Sequence, residues 1–153
     1  MRNIKVILSS GILLIMAAGC ATNGVKDNDN QYRLPEKFNF RFIARDVEIE
    51  NPDNDRRSYY KVFIDKAEEG RTTTGLESQS KSYEATLSTN RHLITVEKWV
   101  LDQKSSRYIK LNNIEQPKPN FIYFDVPEKK IVVIEMKTMK DGTAEVKIDF
   151  ERK

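Results

Sequence analysis

Cysteine and histidine, which build many catalytic and metal sites, are almost missing from this sequence. The 153 residues include one cysteine, Cys20, and one histidine, His92. A structural zinc site takes four ligands that are mostly Cys or His, and a serine-type triad would need His92 as its base. No GxSxG motif accompanies His92, which opens a predicted strand. We therefore expect no enzyme activity, no cofactor and no bound metal, and a structural or surface role for His92.

A strong excess of charge of one sign is also missing. The 26 Lys and Arg residues and the 23 Asp and Glu residues give a net charge of +3. The signs alternate along the chain, as they do on the solvated surface of an exposed domain. A nucleic-acid-binding domain typically has a clustered basic surface, so we expect no nucleic-acid partner.

The first residues lack an apolar run long enough to span a membrane comfortably. The apolar stretch Val6–Ala18 has 13 residues, whereas a spanning helix needs about 20. Arg2 and Lys5 precede this stretch, and small residues end it. A basic start, a short apolar middle and a small-residue end are the parts of a secretory signal peptide, so we interpret residues 1–19 as one.

The end of this stretch, Ala17-Ala18-Gly19-Cys20, resembles the lipobox of bacterial lipoproteins. The resemblance implies that a diacylglyceryl group is attached to the Cys20 thiol, that the chain is cleaved before Cys20, and that the new amine is often acylated too. Leucine is usual where Ala17 stands, whereas the next three residues fit. Two or more acyl chains anchor a protein stably, at about 0.8 kcal/mol per buried methylene. The alternatives are an unacylated Cys20 in a signal peptide cut elsewhere, and an uncleaved membrane anchor.

The residue after the cysteine bears on which membrane holds the protein. In lipoproteins of two-membrane bacteria, Asp at this position often signals retention at the inner membrane. Ala21 stands here, so the resemblance favours a lipid-anchored envelope protein of the outer membrane over the inner one. Acylation of Cys20 would also leave the mature chain no thiol for a disulfide, for catalysis or for a metal.

Composition divides the rest of the chain into a tether and a domain. Residues 20–37 are polar with few large apolar groups, so this segment cannot bury enough surface to offset the entropy of ordering. Residues 38–153 carry the apolar alternation of a folded domain. Removal of residues 1–19 leaves 134 of the 153 residues, enough for one domain with its own core.

From Phe38 onward, apolar residues recur with a period near two, which indicates β-strands. A change of parity predicts a bulge or bend near Phe42-Ile43, and residues 66–82 are expected to form a long polar connection. About eight short strands without a strong helical period favour an all-β fold, a small antiparallel β-sandwich. A small barrel is the alternative. The expected strands lie around 38–49, 59–65, 83–87, 92–101, 109–111, 121–126, 131–139 and 144–150.

The register of the last two strands follows from the turn between them. A two-residue loop at Asp141-Gly142 would set the apolar side of one strand against the charged side of the other. A three-residue loop, Lys140–Gly142, sets Ile134 opposite Ile148. Because register keeps the apolar set on one face, we expect the longer loop, with Gly142 in the left-handed conformation.

Part of the domain resembles PEGA-type modules, which are small β-sandwiches of bacterial envelope proteins. Val62–Asp65, Gly70, Thr73-Thr74 and His92–Val96 fit the pattern of those modules, while Thr89-Asn90 replaces their Pro-Gly turn. The resemblance covers a minor part of the chain and lacks the four-letter signature of the family. It implies a β-sandwich with envelope interactions and no chemistry.

Aromatic residues are dense for a domain of this size, and most are expected in the core. The candidates for an exposed partner-binding patch are Tyr60, Tyr83, Trp99 and Tyr108. We therefore expect a membrane-anchored envelope lipoprotein that binds another envelope or external protein through a sheet face or loops, as a non-enzymatic interaction or structural module. The alternative is a carrier of a small ligand or ion that uses a pocket between the sheets.

Overall fold

The computed structural model describes residues 38–47, 49 and 51–152, so the predicted signal peptide, Cys20 and the tether lie outside the described residues. Within these residues the chain forms ten strands and one 3-10 turn, Pro52–Asn54. This part of the chain contains no helix that is long and apolar enough to cross a membrane. The strands are β1 (Phe40–Asp46), β2 (Arg57–Ile64), β3 (Ala67–Arg71), β4 (Gly75–Leu76), β5 (Lys81–Ala85), β6 (Arg91–Asp102), β7 (Arg107–Lys110), β8 (Phe121–Asp125), β9 (Lys130–Thr138) and β10 (Ala144–Arg152).

The strands form two sheets with one apolar core between them, which confirms the predicted β-sandwich. Sheet A has the strand order β10-β9-β1-β5. Sheet B has the order β3-β2-β6-β7, with β4 also paired to β2 and β8 also paired to β6. Neither sheet closes on itself, so the described residues do not form the alternative barrel.

Two features of the sheets differ from the sequence-based expectation. β1 and β9 pair in parallel, so the sandwich is not purely antiparallel. Part of the expected 66–82 connection forms β3 and β4. These two strands are short and almost wholly exposed or half-exposed, so they carry none of the apolar alternation from which strands are predicted.

The core is built from the alternate residues of each strand that point between the sheets. In β1, Phe40 and Phe42 are fully buried. Phe40 stacks on Phe124 of sheet B with 4.9 Å between ring centroids, and Phe42 meets Tyr60 of sheet B edge-on at 6.2 Å. Aromatic pairs of this kind add about 0.5–1.5 kcal/mol beyond the burial of their area, so they help to hold the two sheets together.

The bulge predicted near Phe42-Ile43 is wrong. β1 pairs without interruption with both β5 and β9. A register shift lies instead between Val62 and Phe63, where β2 pairs with β3. The change of parity that suggested a bulge has two sources: Ile43 is half-buried on the outer face of β1, and Val47 already lies beyond the strand.

The hairpin of β9 and β10 has the predicted loop and register. Met139 N–H donates to the Thr143 carbonyl oxygen at 2.8 Å, and Ile134 lies opposite Ile148. Gly142 has a φ of +84°, and a Cβ at this position would lie 3.1 Å from the Ile114 carbonyl oxygen. Both the backbone conformation and the close approach therefore require glycine here.

Candidate functional site

The outer face of sheet B carries a set of aromatic side chains, called here the aromatic face: Tyr59, Trp99, Tyr108, Phe121 and Tyr123. Strand alternation places them there, because their neighbours in β2, β6 and β8 point into the core. Trp99 lies opposite Tyr59, with ring centroids 6.2 Å apart and planes 8° apart. Tyr108 meets Tyr59 edge-on at 5.0 Å, and Phe121 meets Tyr123 edge-on at 6.4 Å.

Basic side chains lie over the aromatic face. Arg71 and Arg91 make no ion pair with any described residue. Each cation–π contact at an exposed site is worth about 0.5–1 kcal/mol. The aromatic face therefore combines apolar area with positive charge that is not neutralised within the described chain. Three rings have a cation at 5.0–5.2 Å from their centroid: Lys61 over Trp99, Arg71 over Tyr59 and Arg91 over Tyr123.

Exposure is greatest at one end of the aromatic face. Phe121 is 53% exposed and Tyr123 is 56% exposed. Trp99 and Tyr108 are half-buried, and Tyr59 is buried. Single exposed apolar residues are common, but here two exposed rings contact each other, which makes this end of the aromatic face the candidate for an interaction surface.

The four aromatic candidates from the sequence separate into two groups. Trp99 and Tyr108 belong to the aromatic face. Tyr60 is fully buried and donates a hydrogen bond to Asp46 Oδ1 at 3.0 Å, so its side chain belongs to the core and presents no surface to a partner. Tyr83 packs partly against the core, on the sheet-A side of the sandwich. Cys20 lies outside the described residues.

Sequence reasoning did not select the two most exposed rings, Phe121 and Tyr123. Both lie in the segment FIYFDV, where four successive apolar or aromatic residues conceal the alternation. Ile122 and Phe124 are buried in the core. Because side chains alternate along a strand, Phe121 and Tyr123 must point to the outer face. The signal was therefore present, but it could be used only once the inward residues of β8 were known.

A second candidate site is an ionic cluster at the end of the sandwich where β1 and β9 stop. Lys98 Nζ contacts Asp46 Oδ2 and lies 2.7 Å from Glu77 Oε1. Arg56 donates from Nε and Nη2 to the two oxygens of Glu77, each at 3.1 Å. The side chains of Lys98 and Glu77 are both 5% exposed, so these charges are held together away from water.

Burial and pairing act in opposite directions on the carboxyl groups of this cluster. Burial raises the pKa of Asp46, although the Lys98 ammonium partly offsets this effect. Burial alone would also raise the pKa of Glu77, but Arg56 and Lys98 together lower it. Burial raises the pKa of Tyr60 well above its usual value, so its hydroxyl keeps its proton and donates to Asp46.

Lys81 stabilises the loop that precedes β5, next to the ionic cluster. It is fully buried, and its Nζ donates to the carbonyl oxygens of Leu76, Glu77 and Gln79 at 2.7, 3.0 and 2.8 Å. Burial lowers the pKa of Lys81 to about 8, which still leaves most of the amine charged at pH 7. The ammonium thus organises the loop before β5 and, through it, the position of the Glu77 carboxylate.

A cleft of about 510 Å³ opens beside the ionic cluster. Its walls include the apolar side chains of Val47, Leu111 and Met139. Thr138 also lines it; this residue is 3% exposed, and its hydroxyl lies close enough to Tyr60 to influence the pKa of that phenol through a hydrogen bond. Charged residues of the ionic cluster line the cleft beside these apolar side chains, so its walls are of mixed character.

His92 lies in an arrangement that has the composition of a serine triad. His92 Nδ1 is 2.7 Å from Asp65 Oδ2, and Nε2 is 3.3 Å from Ser88 Oγ and 3.0 Å from the Ser88 carbonyl oxygen. A carbonyl oxygen can only accept, so Nε2 donates to it while Nδ1 donates to Asp65. An imidazole with both N–H groups committed has no lone pair with which to take the Ser88 proton.

The pKa of His92 agrees with this hydrogen bonding. Burial alone would lower it, but the hydrogen bonds to Asp65 and to the Ser88 carbonyl oxygen raise it. Asp65 also accepts from the Leu93 N–H at 2.9 Å. We interpret His92 as a structural residue that connects the β2–β3 turn to the segment between β5 and β6.

Neither site presents a recognisable metal centre, since the described residues contain no group of three or more His, Cys, Asp and Glu side chains arranged to hold a metal ion. Comparison of the chain with protein-family models, curated proteins and solved structures gives no match. Function must therefore be inferred from the geometry of the sites themselves.

Proposed function

We propose that this protein is a lipid-anchored module of a bacterial envelope that binds another protein through the aromatic face, without catalysing a reaction. The observation that carries the proposal is the exposure of Phe121 and Tyr123, at 53% and 56%, on the same outer face of sheet B as the partly buried Trp99 and Tyr108. Aromatic side chains and arginine are enriched at protein interfaces and contribute most of their binding energy. The anchor is the acylated Cys20, with the outer membrane favoured over the inner one.

The charge on the aromatic face indicates the chemistry of the partner. Arg71 and Arg91 lie over rings of this face and have no carboxylate partner among the described residues. A surface with an apolar centre and carboxylates at its rim would cover the rings and pair with both guanidinium groups. We infer that the partner is a folded protein or peptide of this acidic and apolar character.

Photo-crosslinking tests the aromatic face. Tyr123 is replaced by a photoreactive phenylalanine derivative in the full chain, and cells are irradiated. Because Ile114 is 76% exposed and lies outside the aromatic face, the same substitution there is the matched control. We expect an adduct of defined mass from position 123 that is absent from position 114. Mass spectrometry then identifies the partner.

Alanine substitution gives the second arm of this experiment. Phe121→Ala together with Arg91→Ala should reduce the adduct at position 123 by at least about tenfold, since loss of one interface anchor costs about 2 kcal/mol or more. Circular dichroism of the variants checks the fold. Equal adducts at positions 123 and 114, or an adduct unaffected by the substitutions, would contradict the proposed surface.

The anchor has a separate test. Cys20→Ser removes the thiol that receives the lipid, so labelled fatty acid should no longer be incorporated and the uncleaved precursor should accumulate. Ala21→Ser, which leaves the thiol in place, is the matched control for the substitution itself. Incorporation of label into the Cys20 variant at the wild-type level would exclude acylation of this residue.

A second candidate function, carriage of a small ligand, is favoured by the cleft of about 510 Å³, in which apolar side chains lie beside charged ones. A suitable ligand has a short apolar part and a hydrogen-bonding head, and octanoate and octanol are representative probes. Addition of each probe to the protein should shift the amide resonances of Val47 and Met139, with weaker binding in Thr138→Val. Unshifted resonances with both probes would remove this candidate.

A further inference from the structure

The free edge of β10 is a backbone surface that neither site above uses. β10 lies at the end of sheet A. Among the described residues only Lys118 hydrogen bonds to this side of the strand, and it does so at the start of β10, where the Ala144 N–H donates to the Lys118 carbonyl oxygen at 2.8 Å. Beyond this point no described residue hydrogen bonds to the edge through its backbone.

The ladder between β9 and β10 shows which residues face the open edge. Met139 N–H donates to the Thr143 carbonyl oxygen, and in an antiparallel ladder the bonded residues alternate. Odd-numbered residues of β10 therefore bond to β9, while the N–H and C=O groups of Val146, Ile148 and Phe150 point away from it. Ala144 is also even-numbered, and its N–H donates to Lys118 rather than to β9. This hydrogen bond independently supports the conclusion that the even-numbered residues of β10 face the open edge.

The side chains of these edge residues are apolar and incompletely covered. Ile148 is 37% exposed and Phe150 is 52% exposed, although their cross-strand neighbours Ile134 and Val132 are fully buried. Soluble proteins usually protect a long edge with proline, a bulge or an inward-pointing charge. β10 pairs with β9 over nine residues without a register shift and has no proline; its charged residues alternate with the apolar ones and leave the apolar side of the edge uncharged as far as Phe150.

We propose that a second copy of this chain occupies the edge, with β10 paired antiparallel to the partner's β10 across a twofold axis at Ile148. In this register Ile148 faces its own copy, and Val146 faces the Phe150 of the other chain, so all three exchange backbone hydrogen bonds and the apolar stripe continues across the interface. On the opposite face Lys147 meets Asp149 of the other chain; the two residues already pair within one chain at 2.7 Å, so the interface would extend this pair to a network of four alternating charges. A twofold interface of this kind is self-complementary.

Two further features limit the affinity of the proposed β10–β10 dimer. Glu145 faces Glu151 of the other chain, but Arg41 Nη1 lies 3.8 Å from Glu151 Oε2 and reduces the repulsion. A contact through one strand edge buries less than the roughly 1,200 Å² typical of stable interfaces. The dimer is therefore of the weak and reversible class, and the confinement of copies in a membrane would favour it.

Disulfide trapping tests the register. One tagged full chain carries Lys147→Cys and a differently tagged chain carries Asp149→Cys, and the two are expressed together. Residues that face each other without exchanging hydrogen bonds have Cα atoms about 4.5 Å apart, which suits a disulfide. We expect the yield of the mixed disulfide dimer to be at least tenfold above that of the unsubstituted chain. The unsubstituted chain measures any crosslinking through Cys20.

The matched control is the pair Glu145→Cys with Asp149→Cys, which face each other only in a different register. Equal yields from the two pairs indicate random collision and overturn the proposal, as does the absence of the mixed dimer. Ile148→Pro removes only an outward-pointing N–H and should abolish trapping, and Ile148→Lys should do the same by placing a charge at the axis. Substitution of Phe121 on the aromatic face should leave trapping unchanged, which separates this interface from the proposed function.

Discussion

At the scale of single residues, Lys98 is the cation on which the buried carboxylates at the end of the sandwich depend. It contacts Asp46 and Glu77, whose side chains are 11% and 5% exposed. Removing one partner of a buried pair costs about 3–5 kcal/mol, because the remaining charge is left without compensation. We expect Lys98→Met to lower the free energy of unfolding by that order in urea titrations at pH 7.

An exposed ion pair provides the control for this substitution. Lys110 pairs with Glu97 on the outside of sheet B, and the Lys110 side chain is 44% exposed, so Lys110→Met should cost less than about 1 kcal/mol. The loss in Lys98→Met should shrink at acid pH, because Asp46, whose pKa is already raised by burial, then takes up a proton. Similar losses in both variants would show that the cluster does not act as a buried ion pair.

His92 gives the fold a pH dependence of defined sign. Its folded pKa lies above the ordinary value of 6.5, since the hydrogen bonds to Asp65 and Ser88 outweigh the opposing effect of burial. A group with a raised folded pKa stabilises the protein fully below its unfolded pKa, and this contribution is lost as the pH rises through the folded pKa. We expect the free energy of unfolding to decline as the pH rises above about 6.5, and His92→Gln to remove the decline.

The measurement combines urea titrations at several pH values with an NMR titration of the one imidazole of the chain. Asp65→Asn serves as the companion variant, because it removes the carboxylate while keeping an acceptor oxygen. An imidazole that titrates below 6.5 would contradict the hydrogen-bond assignment, and so would an unchanged slope in the His92 variant.

At the scale of strands, Ile134 and Ile148 face each other but differ in burial. Ile134 is fully buried, whereas Ile148 at the edge is 37% exposed. Truncation of a buried isoleucine costs about 2–5 kcal/mol, so Ile134→Ala should cost that amount and Ile148→Ala clearly less. Urea titrations of the two variants under conditions where the chain is monomeric make the comparison, and equal costs would contradict the edge position of β10.

The same strands show what local sequence could and could not predict. The loop at Gly142 and the register of β9 with β10 were predictable, because a short turn fixes the pairing and only one loop length keeps the apolar residues together. The parallel pairing of β1 with β9 was not, since two strands far apart in sequence carry no local signal of their partnership. β3 and β4 were not predicted as strands, because they are short and exposed and so lack the alternation of apolar and polar residues that indicates a strand.

At the scale of the whole molecule, composition and period were sufficient to predict an all-β sandwich, but the candidate sites were predicted only in part. Trp99 and Tyr108 lie on the outer face of sheet B, where their role in binding a partner stays a prediction, while Tyr60 is a core residue whose hydroxyl donates to Asp46. The cluster of Asp46, Glu77 and Lys98 could not be predicted, because its members lie on separate segments that meet only in the folded sandwich. The triad-like geometry of His92 was hidden for the same reason.

The central position of β1 in sheet A has a consequence for the time course of folding. β1 is the first strand of the domain, yet Phe40 pairs with Val132 near the end of the chain, and β5 and β9 flank β1 on its two sides. Closing so long a loop is entropically costly, and sheets dominated by such distant pairs fold in about milliseconds to seconds. Stopped-flow refolding followed by Trp99 fluorescence should show this rate, and microsecond folding would contradict it. Because β1 lies between β5 and β9, sheet A cannot assemble around it before β9 is available, so a chain that ends short of β9 lacks the centre of this sheet.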